Sequence, residues 1–416
     1  MKTLQFIQTV PSGGFSRACN RAPAVGGGNV WLRRRAMFGL TGVRPPATGD
    51  TGQRDRIGTG EDPGMHGELD RIDTPAVLVD MDIAERNIAA YQAYCDSHGI
   101  GLRPHIKTHK LPSLAQHQIA TGAIGITCQK ISEAEAMLSE GPIDDILLTY
   151  NILGSGKLSR LTGLATRTNL TVVADNAAVV RGLSDAFADR PPLRVLVECD
   201  TGAGRCGVQT AQAARDLARM IDDSAGLIFH GLMTYPPADA ETAVDEWLHD
   251  ARTLIEAEGI AVPVVSGGGT PGMWRAHQVP TATEHRAGTY VYNDRSLVTR
   301  GTCGWEDCAL SVLVTVVSVP TSGRAVIDAG SKVLTADLSG LQGYGHVLGR
   351  PDIRIAKLSE EHGVLHADAI DLGVGQKLRI VPNHACVVSN MVDQVTQIRG
   401  ERVIGETKVV ARGTVR

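Results

Sequence analysis

From Asp73 onward the chain alternates short apolar runs rich in Val, Ile and Leu with longer amphipathic stretches. Nine runs read as strands: AVLVD (76–80), GLRPHIK (101–107), IGITCQ (124–129), DILLTYN (145–151), LTVVADN (170–176), RVLVECD (194–200), LIFHGLMTY (227–235), VPVVSGGG (262–269) and EHRAGTYVY (284–292). Segments such as Ser132–Ser139 and Ala240–Glu258 carry helical spacing between them. Runs that are apolar throughout belong to strands buried on both faces, and crossover helices make such a sheet parallel. Eight such units close an α/β (β/α)8 TIM-type barrel, with its active site at the C-terminal strand ends. Nine candidates compete for eight places, and periodicity does not identify the surplus one.

Beyond Thr299 the helical period nearly disappears. CALSVLVTVVSVP (308–320), RAVIDAGS (324–331), KLRIVPNHACVV (377–388), DQVTQIRGERV (393–403) and ETKVVARGTV (406–415) are β-branched runs broken by Gly and Pro. The pattern predicts a barrel over 67–299 followed by a mainly β C-terminal domain over 300–416.

Composition changes this picture only at the N-terminus. Met1 to Thr48 contains no acidic residue and includes the run Arg33–Arg35 amid Gly and Pro. The bias is that of a transit peptide, but no amphipathic helix accompanies it. Residues 1–66 are expected to be a disordered extension, or the product of a start placed ahead of Met65. A net charge of −4 gives no reason to expect nucleic acid or an anionic membrane as partner, and no apolar stretch reaches the about 18 residues of a membrane span. The eight cysteines are scattered without a CxxC pair, as in a reduced, cytoplasmic protein.

Four stretches offer chemistry. In LRPHIKTHK (102–110), Lys107 closes the second run, where an amine kept neutral can form a Schiff base; a surface lysine beside Lys110 is the alternative. The glycines of SGGGTPG (266–272) let backbone N–H groups approach a phosphate, with Ser266 and Thr270 as hydroxyl donors, although a tight turn would also use them. Arg205 in ECDTGAGRCGV (198–208) offers a rigid fork for a ring nitrogen or a carboxylate. His384 and Cys386, two apart in VPNHACVVSN, would share one side of a strand and supply two ligands to a zinc-like ion. His105 and His109 form a rival metal pair that would share space with Lys107.

The order of DTPAVLVD, RPHIKTHK, CQKISEAEA, GAGRCGV, SGGGT, AGTYVYND, IDAGSK, EEHG and PNHAC closely resembles the D-threonine aldolase and D-serine dehydratase family, fold-type III pyridoxal-phosphate enzymes related to alanine racemase. The resemblance runs from about Asp73 to the C-terminus. It implies that the first run, AVLVD, joins the β domain and leaves eight for the barrel. It also implies that Lys107 carries pyridoxal 5'-phosphate and that Arg205 faces the pyridine nitrogen. Gly268, Gly269 and Thr270 become the phosphate loop, with Ser266 before it and Tyr235 and Tyr290 beside it, and His384 and Cys386 hold a divalent metal. A small-molecule D-amino acid substrate and a homodimer come with the family.

A cationic arginine at the ring nitrogen weakens the ring as an electron sink, and a metal on the substrate β-hydroxyl compensates as a Lewis acid. Two departures favour elimination over aldol cleavage. D-threonine aldolases typically carry H-x-D where this chain has H-x-C, and a thiolate favours zinc. They also carry a histidine after the tyrosine of the sixth barrel strand, where this chain reads MTYPPADAET. The implied activity is a lyase acting on D-β-hydroxy amino acids, by elimination to a 2-oxo acid and ammonia or by retro-aldol cleavage. An amino-acid racemase of the same fold and a non-catalytic pyridoxal-phosphate carrier are the alternatives.

Overall fold

A computed structural model describes residues 67–416, and the expectation for residues 1–66 lies outside the described residues. All nine apolar runs form extended chain within their predicted bounds: β1 (Ala76–Asp80), β2 (Gly101–Leu102), β3 (Ile126–Cys128), β4 (Asp145–Leu148), β5 (Asn169–Ala174), β6 (Leu193–Cys199), β7 (Leu227–Thr234), β8 (Val264–Gly267) and β9 (Glu284–His285), with one-residue extensions at β5 and β6. Strands β2 to β9 form a parallel sheet in the order β2-β9-β8-β7-β6-β5-β4-β3. A parallel bridge between His105 and Thr127 joins its two edges and closes the barrel.

The surplus strand is β1. It pairs antiparallel with β10 (Leu310–Thr321) and parallel with a strand near the C-terminus, Gln394–Arg399. The other strands of that nine-stranded sheet are β11 (Arg324–Ile327), β12 (His346–Val347), β13 (Arg354–Leu358), β14 (Gly363–His366), β15 (Lys377–Val381), β16 (Gln394–Arg399, the partner of β1) and β17 (Arg402–Lys408). The first and last parts of the described chain thus share one sheet, which ties the β domain to the barrel's first helix.

Local rules explain the crossovers. Asp80 caps the helix Met81–His98 by accepting from the Asp82 and Ile83 N–H groups, and Gly99 ends it at φ +68°. Asn176 and Thr210 cap the helices Ala177–Phe187 and Ala211–Asp222 in the same way. Val179, Val180, Leu183 and Phe187 form the stripe by which the first of these two helices meets the sheet. The two helices expected from spacing span Ile131–Met137 and Glu241–Ala257.

The barrel interior is filled rather than hollow. Leu147, Val173, Leu196 and Met233 make an apolar layer. At the N-terminal strand ends Arg103 lies between Asp145 (2.5 Å) and Glu284 (2.9 Å), an ion cluster that plugs that mouth. Only the C-terminal mouth is left for chemistry. Among the described residues no helix is long and apolar enough to cross a membrane.

Candidate active site

Past β2 the chain makes a single tight turn, Ile106–Thr108, that presents Lys107 at the barrel mouth. His105 precedes it, 8% exposed, with Nε2 3.2 Å from Gln129 Oε1. Burial holds the Lys107 amine below its ordinary pKa; Arg205 and Arg286 reinforce this, and Cys386 and Glu133 oppose it without cancelling it. An amine so placed is a nucleophile and a base rather than a solvated surface charge. Burial likewise takes His105 well below the usual imidazole range.

The glycine loop follows β8. Gly268 has φ +82°, and a Cβ there would stand 1.9 Å from His285 Nε2, so only glycine fits. A Cβ on Gly269 would come within 3.2 Å of the Tyr235 ring. Thr270 Oγ1 accepts from the Gly288 N–H (3.1 Å) and the Tyr290 N–H (3.3 Å), which locks the loop to the segment after β9. Arg205 rises from the β6 loop with its guanidinium 4.6 Å from the centre of the Tyr235 ring.

The β domain supplies the opposite wall. His384 and Cys386 were expected on a strand, but β15 ends at Val381. His384 instead immediately precedes the helix Ala385–Met391 without capping it through its side chain, and Cys386 lies in the first turn. The chain leaves the sheet at Pro382, which cannot donate a ladder hydrogen bond. The two side chains still interact: a hydrogen bond to Cys386 raises His384 to about 9. Burial alone would push the Cys386 thiol up, but His384 and the hydroxyls of Thr108 (3.1 Å) and Thr289 (3.5 Å) outweigh it and hold the thiol below its ordinary value. A thiolate beside an imidazole, with hydroxyls around the sulfur, is a donor set suited to a thiophilic divalent ion.

These groups open onto one cavity of about 160 Å³, lined by Lys107, Arg205, Tyr235, Gly268, Gly269, Thr270, His384 and Cys386. Two expected cofactor contacts are placed elsewhere. Ser266 is fully buried; its hydroxyl donates to Glu284 (2.6 Å) and accepts from Arg286 (2.6 Å). The Tyr290 hydroxyl accepts from Gln118 at 2.9 Å, and its ring is buried. The rival metal pair does not form, because both His109 nitrogens are used, one toward Gln118 (3.2 Å) and one accepting from the Leu111 N–H (3.0 Å).

The cavity also contains Arg286 and Asp294, which the sequence did not single out, and His105, expected there only as half of a metal pair. Arg286 is 5% exposed and is held by Ser266 and the Thr234 carbonyl (2.7 Å). A charged residue inside the apolar run EHRAGTYVY was the available signal.

The alanine racemase N-terminal domain family matches residues 79–296, and the “Putative serine dehydratase domain” family matches residues 309–398. The chain belongs to this family. It is 34% identical over 366 residues to the D-threonine aldolase of Arthrobacter sp., covering 83% of this chain and 94% of that one. It is also 34% identical over 357 residues to the D-threo-3-hydroxyaspartate dehydratase of Delftia sp., covering 77% and 93%. The crystal structure of the D-threonine aldolase from Filomicrobium marinum matches with a TM-score of 0.78 at 32% identity, over 84% of this chain and 98% of that one. The relatives include both reaction types, so the distinction rests on the site.

Proposed function

We propose that this site eliminates water from a D-configured β-hydroxy amino acid, giving a 2-oxo acid and ammonia, with pyridoxal phosphate and zinc as its cofactors. The protein is a lyase of the D-β-hydroxy amino acid class. The observation that carries the finer reading is the convergence of Lys107 with His384 and Cys386 on one cavity, while the segment after Tyr235, Pro236–Ala240, carries no histidine.

The residues fit both groups. Gly268 and Gly269 line the cavity and leave their backbone N–H groups open to a phosphate's approach, Arg205 and Arg286 supply positive charge, and Lys107 is the attachment point. Pyridoxal phosphate, when bound, supplies the electron sink that acidifies the substrate Cα. His384 and Cys386 would hold a Lewis acid for the β-hydroxyl leaving group, and the thiolate favours zinc over a harder ion. Lys107 Nζ, its pKa lowered, takes the proton from Cα.

Retro-aldol cleavage needs a base at the β-hydroxyl itself. The segment after Tyr235 presents Pro236, Pro237 and Ala238, which line a neighbouring cavity that shares Tyr235, Gly268 and Gly269 with this one. A racemase or a carrier protein would leave the thiolate–imidazole pair without a purpose.

Product analysis tests the assignment. The zinc-supplemented holoenzyme given D-threonine is expected to release 2-oxobutyrate and ammonia. Glycine with acetaldehyde would overturn the elimination reading and point to His105 as the base.

A further inference from the structure

We infer that Asp294 is a positioning residue for the metal: it holds the turn that carries both ligands and orients the His384 ring. The inference rests on the reading of His384 and Cys386 as metal ligands and adds to it a residue from the barrel half of the chain.

Asp294 follows the segment after β9 and is fully buried. One carboxylate oxygen, Oδ1, accepts from the Ser296 hydroxyl (2.6 Å) and the Leu297 N–H (3.2 Å), capping the helix Arg295–Thr299. The other, Oδ2, accepts from the Ala385 N–H (3.1 Å), the residue between the two ligands, and lies 3.8 Å from His384 Nδ1. Among the described residues no lysine or arginine pairs with it; the only ion pair it makes is with His384.

A carboxylate is costly to bury without a compensating charge. Ordinary capping could be done by a neutral Asn or Ser, which does not explain an acid here. An acid is explained if its second oxygen serves His384. With Oδ2 3.8 Å from Nδ1, the carboxylate acts on the ring as a charge rather than through a hydrogen bond. It would raise the ring's basicity as a ligand, while its bond from the Ala385 N–H holds the ligand turn. The geometry also shows why Asp294 is not itself a third ligand. Its oxygens do not converge with the His384 and Cys386 donor atoms within 4.8 Å; among the described residues only Asp175, Glu198 and Cys206 meet that condition. Asp294 therefore stands beside the ligands and ties their turn to the barrel.

The test is a zinc titration of the pyridoxal-phosphate-loaded protein against a chromophoric chelator, comparing Asp294→Asn with the unaltered chain. Zinc affinity is expected to fall by about 10- to 100-fold while the cofactor's visible absorbance and the melting temperature hold. The thiolate-to-metal absorbance of the cobalt-substituted protein should shift with it, which a purely structural cap would not cause. Ser296→Ala, which loosens the same carboxylate but keeps its charge, should cost roughly two- to tenfold in zinc affinity. Unchanged affinity in Asp294→Asn overturns the positioning role; should that variant not fold, unchanged affinity in Ser296→Ala does so. Cys386→Ala separates the two levels. If it too retains zinc, the ligand assignment fails; if it loses zinc while the Asp294 and Ser296 variants do not, only the role of Asp294 fails.

Discussion

In the barrel half of the molecule His105, His285 and Lys107 all sit below their ordinary pKa values, with burial the leading cause for each. In the β-domain half His384 is raised to about 9 and Cys386 is lowered. The residue types overlap and the local burial is similar, so the difference lies in partners. The barrel groups are enclosed among arginines and neutral amides; the histidines stay neutral, and the Lys107 amine is made easier to deprotonate. The β-domain pair can trade one proton for an internal ion pair, and a divalent ion bound there would replace that proton. One half of the site lowers the proton affinity of its basic groups, and the other holds a pair that favours charge.

Each half can be broken alone. Lys107→Ala should lower turnover by roughly 10³-fold and remove the visible absorbance of the lysine-linked cofactor, with zinc content unchanged. Cys386→Ala should do the reverse, keeping the absorbance and losing zinc, with turnover down by roughly 10²-fold. If either variant lost both groups, the halves would not be independent. Gly268→Ala places a Cβ 1.9 Å from His285 Nε2 at φ +82°, and should cost about 2 kcal/mol of stability and weaken pyridoxal-phosphate retention. Zinc affinity measured on the same sample should stay put.

The smallest effect is a pH dependence confined to the barrel. His285 is lowered to about 3 and His109 to about 4, so both stay neutral in the folded chain while their unfolded forms take a proton near 6.5. The unfolded state then binds more protons below that value, and stability falls as pH falls. Between pH 7 and pH 6 the two together should remove about 1.4 kcal/mol, measured by urea unfolding; His105, also lowered, adds to the loss, and His384, raised to about 9, opposes it by a similar amount. A flat profile over that interval would contradict the neutral-histidine picture.

The barrel was legible because strand runs buried on both faces announce themselves without tertiary information: every one of the nine runs is a strand. That AVLVD is the surplus run was not in its pattern; it came with the family resemblance and is seen in the pairing of β1 with β10 and β16. Lys107 and the glycines stood out because they break an apolar period at a strand end. The failures are places where the fold decides. Ser266 looks like a loop hydroxyl, yet it is consumed by Glu284 and Arg286, residues 18 and 20 positions away. His384 and Cys386 read as strand neighbours; a helix N-terminus brings their side chains together instead. Asp294 was invisible because its meaning depends on Ala385, 91 residues on.

The central claim is that one cavity joins a lysine-bound cofactor to a separately held metal that the reaction requires. The measurement that tests it most directly is chelation of the purified holoenzyme, followed by absorbance and turnover on the same sample. The account predicts that the cofactor absorbance survives, that 2-oxo acid formation stops, and that added zinc restores it. Turnover that persists in the metal-free protein, or a cofactor that leaves with the metal, would contradict it.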